Sequence, residues 1–148
     1  MEKCYKGYLD FPQGTYLYYA EIERELVEFL IEKDAPHLEF VQLHLHSVVA
    51  QYTKYLLVSL GLSTDDEMFF CNEVSKLVEA AHVPINADDL EACRALDRLV
   101  LEYSRLPDCV ALERERSILP LGQQYSISLL VCTLRGMCIE KYEDASCR

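Results

Sequence analysis

Glycine and proline are scarce in this chain, five of each in 148 residues, and no Pro-, Gly- or Ser-rich tract interrupts it. That leaves little room for long disorder, and no linker is evident. Basic residues are also few: 14 Lys and Arg stand against 25 Asp and Glu, a net charge of −11. Capture of nucleic acid without sequence preference needs clustered positive charge, and this balance argues against it. The sequence has no Gly-rich phosphate loop, no Gly-x-Ser-x-Gly elbow and no Cys/His nucleophile pair. No charged amino-terminal run precedes an apolar block, and the longest uncharged stretch, residues 117–134, contains Pro120, Gly122, Gln123 and Gln124. Neither a secretory signal nor a membrane span is expected, and the default location is the cytoplasm.

What is present is apolar material: 51% of the chain is hydrophobic, enough for one domain over residues 1–148 to bury a core without disulfides or metal. Seven cysteines (Cys4, Cys71, Cys93, Cys109, Cys132, Cys138 and Cys147) are scattered, odd in number and never in a Cys-x-x-Cys pair. Zinc sites favour close ligand pairs, so reduced thiols and no metal are expected. Cys93 and Cys132 fall within helical apolar patterns and are expected in the core. The charge is uneven. Residues 1–90 hold six Lys/Arg against sixteen Asp/Glu, and residues 91–148 hold eight against nine. Most of the arginines lie in this second part, so a local arginine-bearing face remains available to a nucleotide phosphate.

The pattern predicts five helices and no strand. Residues 1–14 form an aromatic lead (Tyr5, Tyr8, Phe11) expected to dock on the fold. A first helix from about residue 15 to residue 33 is predicted to bury Tyr18, Ile22, Leu26, Phe29 and Leu30, and to turn Glu21, Arg24, Glu25, Glu28 and Glu32 to water. A second follows Pro36 with an apolar stripe of Val41, Leu45, Val48, Val49, Tyr52, Leu56 and Leu60, stopping at Gly61. Capping-box matches in Ser63-Thr64-Asp65-Asp66-Glu67 start a third, carrying Met68, Val74, Leu77 and Val78. Asn86-Ala87-Asp88-Asp89 caps a fourth, with Leu90, Cys93, Leu96, Leu99, Val100 and Tyr103 inward and Pro107 closing it. After a loop, Ile127, Leu130, Leu134, Met137 and Cys138 repeat at helical spacing. The expected fold is all-α, an antiparallel up-and-down bundle of four main helices plus one shorter helix.

Two segments carry chemistry. Tyr103-Ser104-Arg105-Leu106-Pro107-Asp108 sets an Arg, an acceptor and a Tyr hydroxyl at a helix end. Earlier, Leu43 and His44 open a helical run that closes with Lys54-Tyr55-Leu56-Leu57. In this order, across roughly residues 15–143, they resemble the HEPN domain family of small helical-bundle proteins. Many members open the second helix with aromatic-His-x-Gln-Gln-Ala-x-Glu-Lys and close it with Leu-Lys-x-Leu-Leu. They then carry Tyr-x-x-x-Arg-Tyr-Pro-Asp or a near variant after the fourth. Here His46, Ser47, Ala50 and Gln51 depart from the first pattern and Leu106 from the second. The resemblance implies a homodimer, a small nucleotidyltransferase partner, or contact with a nucleotide or RNA, with Lys54, Tyr103, Arg105 and Asp108 near the site.

Many HEPN proteins are metal-independent RNases that use an Arg followed by a His after four to six residues, one binding the scissile phosphate and the other moving protons. The histidines here are His37, His44, His46 and His82, and only Arg24 precedes any of them, thirteen positions before His37. The resemblance therefore implies a noncatalytic member, with no cofactor. A divergent RNase of a toxin–antitoxin type system, in which a helix-two His meets a helix-four Arg, and a structural homodimer are the alternatives. Arg94, Arg98 and Arg105, spaced by four and seven, share a helical stripe. They are either a phosphate-facing ridge, completed by Arg114 or Arg116, or surface ion pairs with Glu91, Asp97, Glu102 and Glu113. Lys54 is expected to be a surface lysine. In His44-Leu45-His46, positions two apart point to different helix faces, which disfavours a metal clip.

Overall fold

The computed structural model describes residues 5–11, 13–33, 38–105 and 118–147. Among them are five α-helices and no strand: α1 (Gly14–Ile31), α2 (Leu38–Ser59), α3 (Val74–Ala80), α4 (Ala87–Ser104) and α5 (Leu121–Ser146). Two short 3₁₀ turns, Lys6–Asp10 and Glu67–Phe70, precede α1 and α3. The protein is all-α. No helix among the described residues is long and apolar enough to cross a membrane.

Helix α2 is central, packing against the four other helices. Contacts along it give the directions of its neighbours. Glu23 of α1 meets His44 and Ser47, whereas Glu21 meets Tyr52, so α1 and α2 run antiparallel. Gln42 reaches the amide of Leu119, and Cys138 reaches the Tyr52 carbonyl, so α2 and α5 run the same way. The core is built of Leu17, Val48, Val49, Tyr52, Leu56, Leu77, Leu96, Ile127 and Leu134, each almost fully removed from water.

Helix ends follow local chemistry. Gly61 has φ of 93°, and the amides of Gly61 and Leu62 bond back to Val58 and Leu57 at 2.9 and 3.0 Å, a Schellman stop that suits glycine. Helix α3 ends in the same way, but His82 holds the left-handed position, with φ of 55°. Asn86 and Asp89 form a reciprocal capping box at the start of α4. The third helix departs from expectation. Asp66 caps only the 3₁₀ turn, through the amide of Met68, and α3 starts at Val74, where Asp97 of α4 takes the first amides. The cap is supplied by another helix. Pro12, Pro36 and Pro107 lie outside the described residues.

The aromatic lead sits on the helices. Tyr8 and Phe11 meet the Tyr142 ring edge-on at 4.6 and 5.3 Å between centroids, and the Tyr5 hydroxyl donates to Glu25. Gly14 makes this close approach feasible, because a Cβ there would fall 1.5 Å from the Tyr8 carbonyl oxygen.

Helix α1 overturns its predicted orientation. Tyr18 is inside, but Leu26 and Phe29 are 40% and 55% exposed, and Glu21, expected in water, is 0% exposed. The real inner face is Leu17, Ala20, Glu21 and Val27, a face whose apolar content is diluted by the glutamate. Glu21 is buried because three elements supply donors. It accepts from the Tyr52 hydroxyl at 2.9 Å, from Arg24 Nη2 at 2.9 Å and from Arg135 Nε at 2.9 and 3.2 Å. Burial and then Glu21 push the Tyr52 phenol well above its usual range. For Arg24, burial works against the charged form, but the Glu21 bond prevails and the guanidinium is held more firmly protonated. Two further expectations fail at exposed ends: Leu60, beyond the last turn of α2, is 55% exposed, and Cys132 lies on the outer side of α5. Cys93 and Cys138 are buried thiols, Cys93 being pushed up to about 12, first by burial and then by Asp97 and Asp89.

Removing Glu21 leaves the buried Tyr52 hydroxyl without its acceptor and takes one of the two carboxylate partners of Arg24. Glu21→Ala is expected to lower the unfolding free energy by about 3 kcal/mol in urea denaturation, with Glu21→Gln falling between it and the wild type.

Candidate functional site

The site begins at Asp97. On α4 it stands four residues after Cys93 and three before Val100, on the flank of the apolar stripe. Its carboxylate accepts from His46 Nε2 at 2.9 Å, from the amides of Val74 and Ser75 at 2.8 and 3.1 Å, and from Ser75 Oγ at 2.7 Å. One side chain thus fastens α2, α3 and α4 together. Burial alone would raise its pKa, but the bonds from His46, Ser75 and the two amides outweigh that, and the group is held below the usual aspartate value.

Above Asp97 a cavity of about 1000 Å³ opens between α3 and α4. Lys76, Arg94 and Arg98 line it together with Glu73, Glu79 and Asp97, and Val100 and Leu101 give its wall an apolar stretch towards the end of α4. The two arginines are loosely held. Arg94 is 3.7 Å from Glu79 and 3.9 Å from Glu91, and Arg98 is 3.1 Å from Glu91. All four side chains are about half exposed or more, and such pairs are worth only about 0–1 kcal/mol. A stronger anion can displace them.

Ser75, His46 and Asp97 have the composition of a hydrolytic triad but not its wiring. Both the serine and the histidine bond to the carboxylate, whereas activation of a hydroxyl requires the imidazole between the two. The described contacts make this cluster a structural fastener. His44 belongs elsewhere, with its Nδ1 at 2.9 Å from Glu23. Among the described residues no three His, Cys, Asp or Glu side chains converge as metal ligands.

The residues singled out from the sequence divide into two sets. Arg94 and Arg98 line the cavity, and they keep their ion pairs with Glu91 at the same time. Lys54, Tyr103 and Arg105 are not in its lining. Lys54 is half-buried on α2, where burial lowers its pKa and Cys71 partly offsets this, so the expected open surface lysine is not what α2 presents. Tyr103 packs against the core from the last turn of α4, and Arg105 caps that helix in solvent. Asp108, Glu113, Arg114 and Arg116 lie outside the described residues. Sequence reasoning missed Ser75 and His46 as partners of Asp97, and Lys76 as part of the cavity lining. It also treated Asp97 as one more surface acid, although its place beside Cys93 and Val100 was the available sign of burial. Comparison with protein-family models, with curated proteins and with solved structures gives no significant match to this chain.

The lowered pKa fixes the sign of a pH effect. The stabilisation from ionised Asp97 is complete above its ordinary value of 3.8 and disappears as pH falls below that towards the folded value. Near pH 7, Asp97→Asn is expected to be less stable than the wild type by roughly 2 kcal/mol. Thermal melts from pH 7 to pH 2 should show this margin shrinking only below pH 4 or so.

Proposed function

We propose that the protein is a noncatalytic, HEPN-like binding module whose helices form an antiparallel up-and-down bundle and whose ligand groove lies between α3 and α4. The ligand class is a nucleotide, or the nucleotide-bearing face of a nucleotidyltransferase partner, taken by its phosphate through Arg94, Arg98 and Lys76. The observation that carries this reading is the convergence of those three cations on one cavity while His46, the histidine among its described lining residues, is committed to Asp97. Guanidinium groups in exchangeable surface pairs can rotate onto a phosphate and gain charge-assisted bonds. The apolar stretch at Val100 and Leu101 gives a base or ribose something to lie against. On this reading the site lies along the middle of α4, one to three turns before the Arg105 corner. The free thiols among the described residues favour a reducing compartment such as the cytoplasm.

Calorimetric titration with nucleoside triphosphates tests it. Binding by the wild type is expected, with Arg94→Ala and Arg98→Ala each weakening it about tenfold, or about 1.4 kcal/mol, and with RNA left intact. The absence of heat, or unchanged affinity in the doubly substituted protein, removes the reading. RNA turnover that disappears in His46→Ala favours the divergent RNase instead.

A homodimer is the second reading, and α5 favours it. Residues 117–134 contain no charged side chain, and Leu121, Tyr125 and Leu129, one helical turn apart, are 82%, 66% and 48% exposed. Two copies can meet there without like-charge repulsion, as an isologous contact requires. Sedimentation equilibrium at several concentrations should find a dimer that Tyr125→Glu and Leu129→Glu dissociate, whereas a monomer at every concentration counts against it.

A further inference from the structure

We infer that the outer face of α1 is a docking surface for an amphipathic helix of a partner protein, one with an apolar stripe flanked by lysine and arginine. This does not rest on the α3–α4 groove, and either can fail without the other.

Tyr19, Ile22, Leu26 and Phe29 recur at three- and four-residue spacing, hence along one side of the helix. That side is turned away from the core: Tyr19 and Phe29 are more than half exposed and Leu26 is 40% exposed, while the opposite side is sealed by Leu17, Ala20, Glu21 and Val27. A helix apolar on both sides has a second surface to cover.

Size and charge choose the occupant. The stripe offers on the order of 400 Å² of apolar surface, about half of what each partner contributes to a stable interface of standard size. That suits one helix laid along another better than a dimer held by this face alone. Helix α1 carries four glutamates against a single arginine. Glu23, Glu25 and Glu32 border the stripe; Glu23 bonds to His44 and Ser47 of α2 and Glu25 accepts from Tyr5, while Glu32 is exposed, and together they leave the rim negative. Two copies packed through it would set those carboxylates against each other. A basic helix would set opposite charges there. The Lys33 ammonium already stands over the Phe29 ring, 4.5 Å from its centroid, so the partner's cations would pair with the carboxylates of the rim while its apolar stripe covers Tyr19, Ile22 and Leu26.

The test uses two dye-labelled 18-residue helical peptides with the same leucine stripe, one flanked by Lys and Arg and the other by Glu. Fluorescence anisotropy with the full chain is measured at low and at high sodium chloride. The expected result is binding of the basic peptide only, weakened by salt. It should be weakened at least tenfold by Leu26→Ser with Phe29→Ser and unaffected by Leu129→Ser on α5. Glu25→Gln with Glu32→Gln should flatten the salt dependence while leaving circular dichroism nearly unchanged. Binding that is indifferent to Leu26→Ser with Phe29→Ser overturns the proposal, as does equal binding of the acidic peptide. So does a dimer of the chain that the α1 substitutions dissolve, because a second copy would then be the occupant.

Discussion

A carboxylate sealed from water at the meeting of α1, α2 and α5 constrains the rest of the fold. Glu21 is tolerable inside only because Tyr52 of α2 and Arg135 of α5 join Arg24 of its own helix with donors in place. A buried charge without partners costs several kcal/mol, so any rotation of α1 that parts Glu21 from Tyr52 and Arg135 is heavily penalised. Hydrophobic burial alone would not choose this rotation, because α1 is apolar on two sides. The ion cluster chooses it. Once α1 is fixed, Tyr19, Leu26 and Phe29 must face outward, and the lead residues Tyr5 and Tyr8 come to lie beside Glu25 and Tyr142.

Asp97 plays a matching part on the other side of α2. Glu21 ties α2 to α1 and α5, and Asp97 ties it to α3 and α4. The two differ in exchangeability. Arg135 remains part-exposed above Glu21, but the bond from Arg24 and the phenol of Tyr52 are enclosed, whereas Asp97 faces a cavity with ion pairs at its rim. The first is a lock on helix rotation. The second also positions a surface, since it holds the start of α3 against α4 and so sets the separation between Lys76 and the two arginines.

Much of the fold was legible in the residues. The capping box of Asn86 and Asp89, the left-handed stop at Gly61 and the apolar stripes of α2, α4 and α5 are local signals, and each emerged close to where the spacing placed it. What was not legible was set by contacts distant in sequence. Glu21 reads as a solvent-facing acid until Arg135, more than a hundred residues away, is brought beside it. The true start of α3 depends on a cap 23 residues downstream. The failure for α1 was of another kind: its outward stripe was the more hydrophobic of its two sides, so amphipathicity pointed the wrong way. Of the candidate site, Arg94 and Arg98 were found by their four-residue spacing, but the cavity they share with Lys76 needed the placement of α3. The Arg105 corner was read from motif resemblance, and in the fold it stands outside that cavity.

The distribution of charge then separates three surfaces that composition merges into one figure of −11. The α3–α4 groove alternates cations and carboxylates held in weak, exposed pairs. The amino-terminal half of α5 has no charge at all, which removes repulsion between like copies. The outer side of α1 joins exposed aromatic rings to a flank bearing glutamates. A strongly acidic chain can therefore carry surfaces of quite different local charge. Screening acts over about 8 Å at physiological ionic strength, so the charges beside each surface, more than the net charge, decide what approaches it.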